Sequence, residues 1–145
     1  MTALERRLFG AAAVLTVATG LAYGWMKYLL RGSDQYAVVH HPLQPLMLKL
    51  HILVAPVLVF ALGVLAVRHI GPQLANGVTA ARRSGLVTVA VAAPLVVTGY
   101  LIQVLSDERW LWWVAWGHIL LGVVFGAAFL AHRLAAKRWG RGGRA

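Results

Sequence analysis

The side chains of this sequence best suited to chemistry are its six histidines: His40, His41, His51, His69, His118 and His132. Four of them, His51, His69, His118 and His132, stand in or at the ends of strongly apolar stretches. Ionisable groups in such places are costly, face a protein interior and mark function. Their spacing is regular. At about 100° per residue, His51 and His69 share one helical face after five turns. His118 and His132 share another to within about 40°. A neutral imidazole offers one donor nitrogen and one lone-pair nitrogen, which suits it to metal ligation and proton handling. There is no cysteine. Thiolate zinc, cysteine-bound iron–sulfur clusters and covalent c-type haem, which needs C-x-x-C-H, are therefore excluded.

The elements that must position these rings are apolar helices. Hydrophobic residues make up 60% of the 145 positions and charged ones only 12%. A soluble domain this small has too little interior for such a composition. Four segments, about 8–30, 46–67, 85–105 and 111–130, have the roughly 20 apolar residues needed to cross a bilayer. The expected fold class is an all-α membrane protein, a four-transmembrane-helix bundle forming one domain over 1–145. No separate soluble domain, low-complexity stretch or convincing internal repeat stands out. The first segment follows Arg6 and Arg7 like a signal peptide, but its apolar run is too long and no A-x-A site follows, so it reads as a retained helix.

Basic residues set the orientation. With both termini cytoplasmic, that side holds Arg6, Arg7, Arg68, Arg82, Arg83, Arg133, Lys137, Arg138, Arg141 and Arg144, opposed only by Glu5. The outer side holds Lys27, Arg31, Lys49 and Arg109 against Asp34, Asp107 and Glu108. The net charge of +10 is thus a topology signal, aided by anionic lipid. It is not a nucleic-acid footprint, since no soluble module presents it. Trp110, Trp112, Trp113 and Trp116 sit where the fourth helix enters from outside. They read as interfacial anchors, with packing on a bound macrocycle as the alternative for one or two.

In this orientation the second and fourth helices both descend inward. His51 and His118 then lie at an outer level, and His69 and His132 at an inner one. If the two faces meet, the four rings form two stacked pairs. Two b-type haems need that arrangement, with a neutral imidazole on each side of the iron. His51, His118, His69 and His132 are accordingly the expected axial ligands to haem iron. Gly63, Gly117, Gly122 and Gly126 would make room for a flat macrocycle, although Gly122-x-x-x-Gly126 also reads as a helix-packing motif. Lys49 and Arg109 are candidate partners for the anionic propionates outside. Arg68, Arg82, Arg83 and Arg133 are the candidates inside. Each also serves as a plain topology charge. At about 1.5 Å per residue, His51 to His69 spans about 27 Å and His118 to His132 about 21 Å, so His51 with His118 is the better-founded pair. Pro56 can bend the second helix. Pro94 and Thr98-Gly99-Tyr100 are expected to mark a kink in the third. The third and first helices lack histidine and would flank the cofactors. His40 and His41 read as solvated loop residues. Proton acceptors for a quinol and an alternative outer ligand are the other readings, with Asp107 and Glu108 as the only acids that could join them; both read first as solvated loop acids.

The His118-x13-His132 spacing on the last helix, His51 on the second, and Thr98-Gly99-Tyr100-Leu101 leading to Trp116-Gly117-His118 resemble the small four-helix membrane cytochromes b. These include the bacterial cytochrome b561 group and the b-type subunits of hydrogenases and formate dehydrogenases. The resemblance covers about residues 46–135. It implies two bis-histidine haems b, a multi-pass place in the bacterial inner membrane, and electron exchange with the quinone pool or a periplasmic or membrane redox partner. Those families commonly put one ligand on the first helix, and this first helix has no histidine. If His69 does not substitute, one haem is expected instead of two.

The leading functional expectation is therefore a di-haem b electron-transfer protein, or the cytochrome b subunit of a quinone-linked oxidoreductase. The alternatives are a histidine-based divalent-metal transporter and a structural membrane subunit whose histidines bridge helices.

Overall fold

The computed structural model describes residues 2–30, 38–72 and 82–142. Arg31, Asp34 and Arg144 lie outside the described residues. So do the side chains of His69, Arg82, Arg83, Lys137, Arg138 and Arg141.

Every described element is helical. Helix α1 (Ala3–Gly24) opens on a capping box. The Thr2 hydroxyl accepts from the Glu5 amide at 3.2 Å, and the Glu5 carboxylate accepts from the Thr2 amide at 2.8 Å. Together they satisfy two amides at the helix start. A π-helical turn, Trp25–Leu29, closes α1. Helix α2 (Gln44–Leu65) starts with proline in its first turn, where the missing N–H costs nothing. It too ends in a π turn, Ala66–Ile70. Helix α3 (Arg82–Val104) runs unbroken through Pro94 and through Thr98-Gly99. Helix α4 (Glu108–Gly142) is capped by Asp107, whose carboxylate accepts from the Arg109 and Trp110 amides at 3.0 Å each. Asp107 is thus a helix cap and not simply a solvated loop acid.

Four helical stretches are long and apolar enough to cross a membrane: Ala3–Tyr28, Gln44–Arg68, Gly85–Val104 and Glu108–Ala136. The chain is an all-α, multi-pass membrane protein, as composition requires. Helix α4 continues about three turns past the expected end at residue 130. Apolarity fades there, but helix-forming Leu, Ala, Lys and Arg persist until Gly140, and propensity rather than hydropathy decides where a helix stops.

The helices form two units, Met1–Pro72 and Gln73–Ala145. In the first, α1 packs on α2; in the second, α3 packs on α4. Each is an antiparallel hairpin. The register in hairpin 1 is marked by Gly20 against His51 near one end and Glu5 against Arg68 near the other. In hairpin 2 it is marked by Gly99 against His118 and Gly85 against His132.

Small and polar residues make the contact face of α1: Ala12, Ala13, Thr16 and Thr19 are buried beside Phe9. On α2, Gln44, Leu58 and Ala61 are buried, on the heptad-like line that also carries His51. Large apolar side chains such as Leu53, Phe60, Val67 and Leu120 stay exposed. Such a surface suits lipid rather than water, because packing of small residues and interhelical hydrogen bonds, not hydrophobic burial, joins helices in a bilayer.

Candidate functional site

Each hairpin seats an imidazole on a glycine. In hairpin 1 the His51 ring lies so close to Gly20 that a Cβ there would stand 2.7 Å from its Cε1 and 2.9 Å from its Nδ1. No alanine fits without displacing the ring. One turn earlier on α1, the Thr16 carbonyl oxygen is 2.9 Å from His51 Nδ1. A carbonyl only accepts, so the neutral ring carries its proton on Nδ1 and its lone pair on Nε2. The Thr19 hydroxyl stands 3.5 Å from the same nitrogen. Its own proton points along the helix to the Leu15 carbonyl at 2.7 Å. The Thr16 hydroxyl is buried and has no hydrogen-bond partner among the described residues.

Hairpin 2 repeats the device. A Cβ on Gly99 would stand 3.2 Å from His118 Cε1. The preceding residue is again threonine, and the Thr98 hydroxyl lies 2.9 Å from His118 Nδ1. It also lies 2.8 Å from the Pro94 carbonyl and 3.1 Å from that of Leu95. Thr98-Gly99 therefore builds a histidine seat within a continuous helix. About four turns later on α4, His132 sits against Gly85, whose Cβ would be 3.3 Å from both Cε1 and Nδ1. Gly85 and Gly99 are 14 positions apart, as are His118 and His132. The shared face expected of the two α4 histidines is thus matched residue for residue on α3. Between the two rings on that face lie Phe125, fully buried, and Phe129, with near-parallel rings 6.5 Å apart.

The sequence contains one Thr-Gly dipeptide in the first helix of each hairpin, Thr19-Gly20 and Thr98-Gly99. Each dipeptide faces a histidine on the following helix. The helices without histidine do more than flank. They supply the seats.

Three of the glycines expected to make room border open space. Added Cβ atoms at Gly63, Gly117 and Gly122 would meet nothing within 4 Å. The glycines against imidazole are Gly20, Gly85 and Gly99. Lys49 and Arg109 are exposed. Helical rotation puts Lys49 about 160° from His51 and Arg109 about 180° from His118, on the far side of each helix from its ring. Arg68 pairs with Glu5 at 2.6 Å, and the Arg133 guanidinium lies over the Phe129 ring at 5.5 Å. The tryptophans Trp110, Trp112, Trp113 and Trp116 are all exposed, as interfacial anchors would be.

His40 and His41 are not merely solvated. The His41 ring accepts the Leu43 amide on Nδ1 at 3.1 Å, and its carbonyl accepts from the Gln44 amide at 2.9 Å. In the neutral ring this places the proton on Nε2, the reverse of His51. The His40 amide donates to the buried Gln44 side chain at 3.0 Å. The pair thus helps start α2.

Comparison of the chain with protein-family models, with curated proteins and with solved structures gave no match.

The donor chemistry fits a haem. Axial ligation takes an imidazole whose other nitrogen donates to a carbonyl or similar acceptor, which fixes the tautomer and raises ligand basicity. His51 meets this requirement with Nε2 as the lone-pair nitrogen. Among the described residues, no three His, Asp or Glu side chains converge as a metal-ion site.

Proposed function

We propose that this protein carries electrons across or along the bacterial inner membrane on haem b, with His51, His118 and His132 as axial ligands and His69 as the fourth by its spacing. The observation that carries the reading is the imidazole seat: a glycine-cleared ring whose Nδ1 is bound to the preceding helix, found in both hairpins. Haem b, when bound, supplies the one-electron chemistry. The chain's own groups do the rest. Gly20, Gly85 and Gly99 let the rings lie against the helix backbone. The Thr16 carbonyl and Thr98 hydroxyl orient them, and the apolar helix faces exclude water. The quinone pool or a redox protein at one face is the proposed exchange partner, and the cytoplasmic placement of both termini follows from the basic residues.

The same hydrogen bonds also favour a second reading, in which the histidines only clamp each hairpin together. A reduced-minus-oxidised absorption spectrum of protein purified after expression with ample haem supply separates the two. Low-spin haem b α and Soret bands are expected. A colourless preparation supports the clamp, and a colourless preparation holding stoichiometric zinc supports divalent-metal handling. His69→Ala should cost one haem of two; full retention of both would remove His69 from the ligand set.

A further inference from the structure

The two Thr-Gly seats are alike in sequence but not in the atom that receives the imidazole proton. In hairpin 1 it is a backbone carbonyl, Thr16 O. In hairpin 2 it is a side-chain hydroxyl, Thr98 Oγ1. We infer that Thr98 is a positioning residue that holds His118 as its Nδ1–H tautomer and leaves it a weaker electron donor than His51.

The direction of the Thr98 bond follows from its other neighbours. The hydroxyl has one hydrogen and stands 2.8 Å from the Pro94 carbonyl oxygen. Two oxygens that close repel unless a hydrogen lies between them, and the carbonyl has none to give. The hydroxyl proton therefore goes to Pro94, and its oxygen accepts from His118 Nδ1–H. The lone pair of the neutral ring is then on Nε2. The chain from imidazole N–H through hydroxyl to carbonyl is polarised along its length. An alcohol oxygen still draws the imidazole proton less than an amide carbonyl does. His51 gains more imidazolate character, and ligand basicity is one of the protein's means of setting a metal's potential. His51 cannot lose its acceptor by side-chain substitution, whereas His118 can.

The second half of this inference rests on haem ligation; the first does not. The full-length protein without haem, labelled with 15N-histidine in lipid nanodiscs, is measured by NMR for the tautomer of each ring. His118 is expected to show protonated Nδ1 and unprotonated Nε2. Thr98→Val should lose that signature at His118 and leave His51 unchanged, and Thr98→Ser should restore it. An Nε2–H tautomer in the wild type, or a Thr98→Val spectrum identical to it, overturns the inference. In the haem-loaded protein, Thr98→Val should raise the midpoint potential of the haem held through His118, with recovery in Thr98→Ser. An unchanged potential overturns the assigned ligand strength. If the tautomers behave as stated and no haem binds, the haem reading fails while the role of Thr98 stands.

Discussion

Among the described side chains, hairpin 2 seats two imidazoles on one face and hairpin 1 seats one. Moving 14 positions inward from Gly99 and His118 reaches Gly85 and His132. The same move from Gly20 and His51 reaches Arg6 and Leu65. Leu65 borders an open apolar groove with Leu4, Leu8, Phe60, Ala61 and Val64, beside the Glu5–Arg68 ion pair. Where one hairpin presents a ring on a glycine, the other presents aliphatic packing and a charge pair. Among the described residues, the glycine-and-ring arrangement occurs twice in hairpin 2 and once in hairpin 1. The difference teaches that glycine and ring go together among the described residues: the position with no glycine on the first helix has no described imidazole on the second.

The comparison can be broken most forcefully at Phe125, the fully buried ring between the two levels of hairpin 2. Phe125→Ala should destabilise by about 3 kcal/mol, the cost of a large aromatic cavity, read as a lowered thermal midpoint in detergent. A midpoint within a degree of wild type would show that the two levels are not held apart by this packing. The seats come next. Gly20→Ala should cost about 1–3 kcal/mol, as overpacking does, because its Cβ would overlap His51. Gly99→Ala and Gly85→Ala should cost less, since 3.2–3.3 Å contacts need a shift of only a few tenths of an ångström. Parallel melts of the three variants check the order. Equal losses would mean that the tight fit at Gly20 is nothing special to hairpin 1. Smallest is Glu5→Gln. The Arg68 partner is 64% exposed and exposed ion pairs contribute little, so the melt should match wild type within its scatter. A clear loss would make the inner end of hairpin 1 a structural centre of its own.

Much of this was legible in the sequence, and the reasons differ by feature. The four spans follow from composition and length alone, so their number and approximate bounds needed no tertiary information. The common face of His118 and His132 follows from helical periodicity. The seats did not follow, because a glycine opposite a histidine is visible only once the antiparallel register is known. Without that register Gly20 and Gly85 carry no signal, and Thr98-Gly99 reads as a kink. The equal 14-residue spacings of Gly85 to Gly99 and His118 to His132 were the available signal. So were the paired Thr-Gly dipeptides. Asp107 also misled: its place before Arg109 and Trp110 is that of an N-cap, but a charge beside other loop charges reads as solvation. His41 misled likewise, since its ring nitrogen is spent on a local amide that periodicity cannot show.

The most direct measurement is the haem content per chain, by pyridine haemochrome, of the wild type beside His51→Ala and His118→Ala. Imidazole seats that serve as ligand sites predict a coloured wild type and a loss of haem in each variant. Undiminished haem in both would contradict the assignment of these two rings to iron.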